Sequence, residues 1–485
     1  MLQSLQALLH EYWPHIVFLF TIGAAATAAI HAAMTKTDVR AAIGWVGIVL
    51  LSPLFGAFFY LIAGINRVRH DQISQQRDKS LRHYSSLDDT PIADVAPYSA
   101  PQFSSLQILG NTVSSFPLCD GNYIQLLNSG DETYPAMLEA IESAKVSIAL
   151  QTYIFDNDSE GRKLVEALAR AVARGVEVRV LIDAIGSKYS RPPIVHQLRR
   201  RGVRTALFMT NPLGMRMPYA NLRSHRKILI VDGCIGFTGG MNIRAGFVTG
   251  SSGQPPARDT HFKVEGPIVL QLTAVFSQDW EFTTRETLPH ETWVCETWSP
   301  PTPRVPARCV RSGPDRTILS THNMLLGAFA VAQHSIRIQS PYFLPDVVLL
   351  GAINTAARRG IRVDIVIPGR NNLRLVNYAM TAQLDQVIRN GCRVWRAHGT
   401  FNHSKLITID GAWSYVGSSN LDPRSLRLNF ELDVEIYSRA MARELEQRID
   451  AEIEGADAVT LDTLASMSFL KRLRNKIIWL ASPYL

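Results

Sequence analysis

The chain lacks the residue patterns with which enzymes usually bind metals. It contains no H-E-x-x-H sequence, no grouping of cysteine with histidine, and no dense set of Asp and Glu. Such patterns supply the ligands of most metal-dependent hydrolases and transferases. We therefore expect no metal and no other cofactor, and a chemical step that proceeds without a metal ion.

Cysteine is scarce and scattered. The 485 residues contain five cysteines, and none belongs to a C-x-x-C pair: Cys119, Cys234, Cys295, Cys309 and Cys392. An odd number without regular spacing is typical of reduced thiols in a cytoplasmic protein rather than of a disulfide framework. We expect free thiols, with Cys234 and Cys392 as small core residues.

Charge is absent from two stretches near the N-terminus. Residues 16–33 and 41–65 contain no Asp, Glu, Lys or Arg. At about 1.5 Å per residue, each can span or nearly span a hydrocarbon core about 30 Å thick. A cleaved signal peptide is the alternative for the first stretch, but residues 1–15 contain no Lys or Arg to form its basic start. We predict two transmembrane helices within residues 1–66.

The orientation in the membrane follows from the basic residues around these stretches. Two lie in the loop between them, whereas five follow the second stretch: Arg67, Arg69, Arg77, Lys79 and Arg82. Because loops rich in Lys and Arg stay in the cytoplasm, the large C-terminal part is predicted to be cytoplasmic. The N-terminus would then lie on the same side.

Acidic residues are fewer than basic ones, at 42 against 50, which gives a formal net charge of +8. The excess favours an anionic partner: nucleic acid, anionic lipid or a phosphorylated substrate. Near the C-terminus, LKRLRNKIIWL at 470–480 combines four basic residues with apolar ones. It is either a helix at a membrane interface or a terminal helix packed on the domain. Nothing in the sequence indicates an oligomeric state.

Residues 67–118 are rich in Pro and Ser and are predicted to be a linker. An internal repeat follows, in which AKVSIALQTYIF at 144–155 resembles AQHSIRIQSPYF at 332–343. ARAVARGVEVRVLID and NTAARRGIRVDIVIP then resemble each other in the same order. Each copy alternates helices with buried β-branched strands, which is typical of an α/β fold.

The repeat predicts a first domain at 119–300 and a second at 310–485. We expect two repeated α/β sandwich domains packed with pseudo-two-fold symmetry, their sheets facing each other. A single site would then form where the two halves meet.

The most informative feature is a duplicated motif, H-x-K-x-x-x-x-D, whose copies begin 178 residues apart. It supplies six candidate catalytic residues: His225, Lys227, Asp232, His403, Lys405 and Asp410. Alternate residues of a strand share one face, so each His projects with its Lys. The two aspartates have the opposite parity, and we expect them to support the turn rather than touch substrate.

Two imidazoles and two ammonium groups suit a phosphodiester. One His can attack phosphorus while the other protonates the leaving oxygen and later deprotonates the acceptor. Two Lys would stabilise the charge on the phosphoryl oxygens. The supporting candidates are two carboxylates that would orient the imidazoles, Asp259 and Glu431, and two amides that end the turns, Asn242 and Asn420.

This motif resembles the HKD motif of the phospholipase D superfamily. The stretches DETYPAMLEAIESAK, QTYIFDND, HSKLITIDG and GSSNLDPRSLRLNFE, together with two N-terminal spans, are similar to the bacterial cardiolipin synthases. The likeness covers essentially the whole chain. It implies two phospholipase D-like domains in a multi-pass protein of the bacterial inner membrane, with the catalytic domains in the cytoplasm.

The resemblance also implies an activity: a phosphatidyl group passes from one phosphatidylglycerol to another, giving cardiolipin and glycerol. Anionic membrane lipid is then the partner, and nucleic acid is not. By analogy, His225 carries the phosphatidyl group and His403 is acid and then base. The alternatives are the same chemistry with water or another head-group alcohol as acceptor, an HKD nuclease, or a non-catalytic membrane scaffold.

Overall fold

A computed structural model describes residues 2–36, 38–65, 73–75, 77, 93–210, 222–251, 253, 255–295 and 297–482. The chain divides into two compact units, Met1–Val68 and Arg69–Leu485. Four of the five basic residues behind the predicted orientation lie outside the described residues, and Arg77 is the exception.

The first unit is helical. Helix α1 is Leu2–Thr35, α2 is Val39–Leu51, and α3, Pro53–Phe59, continues into a π-helical turn at Tyr60–Gly64. Within the described residues, α1 alone is long and apolar enough to cross a membrane, over Glu11–Thr35 with a mean hydropathy of 1.9. One candidate span is therefore found where two were predicted.

The second predicted span is divided at Ser52. Pro53 disfavours a helical conformation of the residue before it, and Ser52 has φ −141° and ψ 77°. Helix α2 has 13 residues, so at about 1.5 Å per residue it is too short to cross a bilayer alone. The chain doubles back after Ser52. Gly56 then lies so close to α2 that a Cβ on it would be 2.5 Å from the carbonyl oxygen of Ile48.

The second unit is an α/β structure. The strands of its first half are β1 (Cys119–Asn128), β2 (Ser147–Thr152), β3 (Glu177–Asp183), β4 (Arg204–Phe208), β5 (Arg223–Ser224), β6 (Ile228–Val231), β7 (Ile235–Gly239) and β8 (Thr260–Glu265). The helices are α4 (Phe103–Val113), α5 (Ser129–Ser143), α6 (Ser159–Ala173), α7 (Val195–Arg200), α8 (Ile268–Thr284) and α9 (His290–Trp293).

The second half follows the same plan. Its strands are β9 (Val305–Ser312), β10 (Ser335–Gln339), β11 (Arg362–Pro368), β12 (Arg393–Ala397), β13 (Leu406–Ile409), β14 (Trp413–Gly417), β15 (Asn429–Tyr437) and β16 (Ala456–Val459). Its helices are α10 (Ser320–Val331), α11 (Val347–Arg358), α12 (Arg374–Ile388), α13 (Pro423–Arg427), α14 (Arg439–Glu454), α15 (Leu461–Ala465) and α16 (Phe469–Leu480).

Fifteen of the described strands form one mixed sheet, in the order β4-β3-β2-β6-β7-β8-β1-β9-β15-β14-β13-β10-β11-β12-β16, and the short β5 pairs with β15 off this path. Without β16, the strands of the two halves follow the same order when each half is read from its outer end inwards. The α/β class and the repetition of the domain are thus confirmed. The structure differs from the prediction of two separate facing sheets, because β1 pairs with β9 and joins the halves into one hydrogen-bonded ladder.

Each half has its own hydrophobic core between sheet and helices. Ile148, Leu168 and Val180 belong to the first, while Ile336 and Ile365 belong to the second. The β-branched strand residues predicted from the sequence thus fill these cores.

Part of the predicted linker belongs to the folded body. Val95, Phe103, Leu106 and Leu118 are buried in the core of the second half. The first part of this stretch falls largely outside the described residues. Residues 93–118 therefore tie the beginning of the second unit to its second half.

The cysteine prediction is wrong for one pair: Cys234 and Cys295 form a disulfide with their Cα atoms 5.2 Å apart. They are 61 residues apart in sequence, so no local spacing announces the bond. Gly233, at φ 65°, allows the turn to touch the backbone at Trp293 and Cys295, where a Cβ would come within 2.7 Å. The other three cysteines are free and buried, as predicted for Cys392.

Candidate active site

The two motif histidines stand immediately before the short strands β6 and β13. The backbone amide of His225 donates to the carbonyl of Phe430 at 2.9 Å, and that of His403 donates to the carbonyl of Arg258 at 2.7 Å. Phe430 belongs to the second half and Arg258 to the first. Each histidine is therefore fixed to the backbone of the opposite half.

The histidine rings meet at the floor of one cleft. Their centroids are 6.5 Å apart, with the ring planes at 81°. The cleft has a volume of about 880 Å³, and both histidines line it. The sequence prediction that the two motif copies share one site agrees with this placement.

A buried carboxylate holds the far nitrogen of each ring. Nδ1 of His403 is 2.8 Å from Oδ2 of Asp259, and Nδ1 of His225 is 3.0 Å from Oε2 of Glu431. Ser418 supports the second pair, since its hydroxyl donates to Glu431 at 2.6 Å. Both acids were named from the sequence as orienting groups, each downstream of a motif. The structure shows that each acid orients the histidine of the other half.

Burial controls the protonation of this core. It would raise the pKa of Asp259, but the charge of Lys405 and the contact with His403 outweigh it and lower the pKa to about 2. Burial and then Lys405 lower the pKa of His403 to about 4. Burial also lowers the pKa of His225, against the effect of Glu431. At neutral pH both imidazoles are thus neutral beside ionised carboxylates.

A neutral imidazole whose Nδ1–H faces a carboxylate has its Nε2 lone pair free for attack on an electrophile. One of the two rings can therefore act as the nucleophile. An anionic phosphate bound in the cleft would raise the pKa of both rings. That rise lets the other ring gain the proton that a general acid needs.

The two motif lysines are also buried, at 2% and 6% exposure for Lys227 and Lys405. Lys405 Nζ lies 2.8 Å from Nδ1 and 3.0 Å from Nε2 of His403, and it donates to the carbonyl oxygen of His403 at 2.5 Å. Lys227 Nζ donates to the carbonyl of His225 at 2.5 Å. Burial lowers the pKa of Lys227 to about 7 and that of Lys405 to about 8. A bound anion would restore their full charge.

The two motif aspartates lie away from the cleft. Asp232 accepts from the backbone amides of Lys145, Val146 and Ser147 at 2.8 to 2.9 Å, at the start of β2. Asp410 does the same for residues 333–335, at the start of β10, at 2.7 to 2.9 Å. Both have φ 53°. These contacts support the interpretation that the aspartates hold the turns rather than touch substrate.

The two turn amides line the cleft. Asn242 accepts from the backbone amide of Ile154 at 3.1 Å. Asn420 donates to the hydroxyl of Ser425 at 3.3 Å, and its Oδ1 is buried without a partner. Both side chains therefore brace the cleft wall, and both are placed to meet a ligand.

Several residues of the site escaped the sequence analysis. Tyr342 packs its ring 6.2 Å from His403, as Tyr153 does 5.2 Å from His225. The two tyrosines follow the equivalent strands β10 and β2, so the repeat itself carried a signal.

Arg226, which lies between the motif His and Lys, was also missed. Its guanidinium donates to both oxygens of Asp279 at 2.8 Å, and its Nε donates to the carbonyl of Glu431 at 3.0 Å. All three residues are buried. The pair anchors the motif to helix α8, and no local pattern links positions 226 and 279.

Among the residues that the structure describes, no group of three or more His, Cys, Asp or Glu is arranged to hold a metal ion. Positive charge comes from the two buried motif lysines behind the histidines and from Arg223, Arg244 and Arg424 in the cleft wall. Two oriented imidazoles in the cleft, with these cations around them, can attack a phosphodiester, stabilise its oxygens and protonate a leaving group.

Two family descriptions match the chain. One, "Cardiolipin synthase, PLD-like domain", matches residues 137–280 and 325–453, which together are more than half of the chain. The other, "Phospholipase_D-nuclease N-terminal", matches residues 23–64. The two motif copies fall one in each segment of the first match.

Curated relatives resemble the chain over nearly its full length. It is 31% identical to Cardiolipin synthase A of Pseudomonas entomophila over 94% of this chain and 95% of that protein. It is 30% identical to Cardiolipin synthase of Alkalihalophilus pseudofirmus over 91% and 88%. Among solved structures, phosphatidylserine synthase of Haemophilus influenzae shares the fold, with a TM-score of 0.59 at 15% identity over 79% of this chain and 100% of that one.

Proposed function

The chain belongs to the cardiolipin synthase family of phospholipase D-like proteins, and from this we propose that it is a phosphatidyltransferase that makes cardiolipin. One phosphatidylglycerol donates its phosphatidyl group and a second accepts it, with glycerol released. The crossed pairs His225–Glu431 and His403–Asp259 carry the proposal, because they leave two oriented imidazoles at the floor of one cleft.

In the first step, Nε2 of His225 attacks the phosphorus of the donor. The bond between phosphorus and the glycerol head-group oxygen breaks, and His403 gives its proton to that oxygen. Glycerol leaves, and the phosphatidyl group remains on His225 through a P–N bond. Glu431 accepts the Nδ1–H of His225 and so stabilises the imidazolium that forms.

In the second step, a hydroxyl of the acceptor's head group replaces glycerol in the cleft. Its proton passes to the now neutral His403, and its oxygen attacks phosphorus as the P–N bond breaks. Cardiolipin is released, and both histidines regain their starting states. Lys227 and Lys405 stabilise the charge on the phosphoryl oxygens in both steps, a role that many phosphoryl-transfer enzymes give to a metal ion.

Water or another head-group alcohol as the acceptor is the second candidate. It uses the same groups, so only the product separates it from the synthase. An HKD nuclease is disfavoured by the apolar helix Glu11–Thr35, since DNA cleavage needs no membrane segment.

The direct test supplies labelled phosphatidylglycerol to the purified full-length protein in detergent. Cardiolipin and glycerol are the expected products. Phosphatidic acid would identify a hydrolase instead, and no lipid turnover would overturn the proposal. A His225→Ala, His403→Ala double variant controls for lipid-modifying contaminants.

The roles of the two histidines are tested by trapping. His403→Ala removes the acid of the first step and the base of the second, so turnover should stop, and the covalent label that forms slowly should stay on residue 225. Label on residue 403 in a His225→Ala protein would reverse the two roles.

We also propose the finer architecture implied by the sequence. The halves would be related by a pseudo-two-fold axis, which the repeated strand order supports. The apolar stretches 16–33 and 41–65 would both lie in the bacterial inner membrane as transmembrane helices, with the catalytic domains cytoplasmic. Exposed apolar side chains support membrane burial of both, for example Phe20 at 69% and Leu51 at 90% exposure.

Membrane crossing is measurable by thiol labelling from either side of sealed vesicles. Cysteines introduced at positions 3 and 38 should be labelled from opposite sides if the first stretch crosses the bilayer. A cysteine at position 38 and one in the catalytic domain should also be labelled from opposite sides if the second stretch crosses the bilayer. Equal labelling of those two would favour a hairpin that enters and leaves on one side.

A further inference from the structure

Helix α16 presents its apolar side to solvent. Phe469, Leu470, Leu473, Ile477 and Leu480 are 43–74% exposed, whereas Asn475 is 3% exposed. At 3.6 residues per turn the five apolar side chains lie within an arc of about 100°. A helix on the surface of a soluble protein ordinarily buries such a stripe against its core. We call these five residues the apolar stripe.

Polar contacts on both borders of the stripe hold α16 to helix α12. The guanidinium of Arg474 lies 3.6 Å from the ring centre of Tyr378. Lys476 Nζ donates to the carbonyl of Ala382 at 2.7 Å and lies 3.8 Å from Asp385. These contacts fix the rotation of the helix about its axis. The apolar stripe thus points outward because the helix is held that way.

The charges of α16 are all of one sign. Its twelve residues include Lys471, Arg472, Arg474 and Lys476 and no acid. Seen down the axis, Arg474 borders the stripe on one side and Lys476 on the other. Apolar residues that insert between lipid tails, with cations at head-group level, are the arrangement that binds an anionic bilayer.

The stripe lies next to the active-site cleft. Ser482, two residues beyond the end of α16, lines the cleft together with Leu373 and Val376 of the chain that begins α12. Leu373 and Leu375 are themselves 47% and 54% exposed. Exposed apolar surface therefore runs from α16 to the rim of the cleft that holds His225 and His403.

We propose that the apolar stripe docks on a bilayer containing anionic phospholipid and holds the mouth of the cleft at the level of the lipid head groups. The proposal rests on the proposed function for the identity of the substrate, but the docking itself is a separate property. Lipid head groups could then enter the cleft while their acyl chains stay in the bilayer.

The first experiment asks what the stripe touches. The full-length protein is placed in nanodiscs of phosphatidylcholine and phosphatidylglycerol, with the photocrosslinker benzoylphenylalanine at position 473. We expect crosslinks to lipid, detected by mass spectrometry. Position 108 on α4, where Ile108 is 69% exposed, is the matched control and should give none. Crosslinks from position 473 to a second protein chain, or to nothing, would overturn the proposal.

The second experiment asks what docking does. The double variant Leu470→Glu, Ile477→Glu is compared with Ile108→Glu, Leu319→Glu, which changes two exposed apolar residues elsewhere. With phosphatidylglycerol in the bilayer, the first should lose about tenfold in turnover and the second little, since misplacement of the cleft costs rate. With dispersed short-chain phosphatidylglycerol, both should match the unmodified protein.

The outcomes separate docking from function. Equal loss with both lipid forms, or no loss in the bilayer, would overturn docking by the stripe. If the unmodified protein makes no cardiolipin from either form, the proposed function fails, and the crosslinking result still decides the docking.

Discussion

Asp259 lies 2.8 Å from Nδ1 of His403, although the two residues belong to different halves and are 144 positions apart. Glu431 makes the reciprocal contact with His225 across 206 positions. Because each half supplies the acid for the other half's histidine, neither half contains a complete acid–histidine pair. The unit of function is therefore the duplicated domain as a whole.

The crossed acids predict a loss of rate without unfolding. Asp259→Asn keeps the size of the side chain but no longer fixes the tautomer of His403, so kcat should fall by about 10²- to 10⁴-fold. Glu431→Gln should act likewise through His225. Transfer from phosphatidylglycerol measures the rate, and a thermal melt measures stability.

Asp364→Asn is a suitable control, since Asp364 is a buried acid bound to Arg393 and Trp395. It lacks a role in the cleft and should affect stability more than kcat. A crossed-acid variant with an unchanged rate would remove that acid from the mechanism.

For the turn aspartates we expect the opposite result, a loss of stability with kcat retained. Asp232→Ala leaves three backbone amides without their acceptor and puts Ala at φ 53°, so the protein should lose about 1–3 kcal/mol of unfolding free energy. Asp232→Asn tolerates that φ and keeps one acceptor, and its loss should be smaller. The kcat of the folded fraction should be retained in both. A large fall in kcat at unchanged stability would return Asp232 to the chemistry.

The pH dependence of kcat/KM should report the loss of charge on Lys227. Its pKa is lowered to about 7, so the free enzyme loses this charge as the pH rises through neutrality. Because the substrate phosphate is an anion, kcat/KM should fall on the alkaline side. In Lys227→Arg the cation persists, since the arginine pKa is above about 12, and the alkaline limb should move up by about one pH unit, to the range in which Lys405 loses its charge.

The exposed Lys188 gives the matched control, because Lys188→Arg should leave the limb where it is. The position of the limb is the readout, whatever the absolute rate of the variant. An alkaline limb that stays in place in Lys227→Arg would assign it to another group, such as Lys405.

The disulfide tests the proposed cytoplasmic placement. The structure shows the oxidised state of Cys234 and Cys295. A reducing cytoplasm keeps most thiols free, so in growing cells this pair should be reduced and open to alkylation, and the bond should form when the cells are treated with an oxidant. Differential alkylation and mass spectrometry measure this. A bond already present in untreated cells would contradict the cytoplasmic placement.

Local pattern accounts for what could be predicted. The duplicated motif identified both histidines and lysines, and strand alternation separated the aspartates from them. The repeat located the two α/β halves. Gly175 and Gly360 follow equivalent helices of these halves, and both adopt φ 88°, a conformation that favours glycine.

Contacts between segments that are distant in the chain could not be predicted from the sequence. Nothing local pairs Cys234 with Cys295 or Arg226 with Asp279, and nothing announces that β1 and β9 join the halves. The exchange of acids is of the same kind, because both candidates were visible and only the fold could match them to their histidines. The break in the second predicted span could have been predicted from the sequence, because Pro53 lies within that stretch.

The size of the cleft limits what the enzyme can recognise in the proposed reaction. At about 880 Å³ it is a site for one drug-sized group. Two phosphatidylglycerols carry four acyl chains, which in the proposed docking would stay in the bilayer. Fatty-acid length and unsaturation should then contribute little to selection. A bacterium that remodels its fatty acids as the growth temperature changes would keep the same supply of usable substrate.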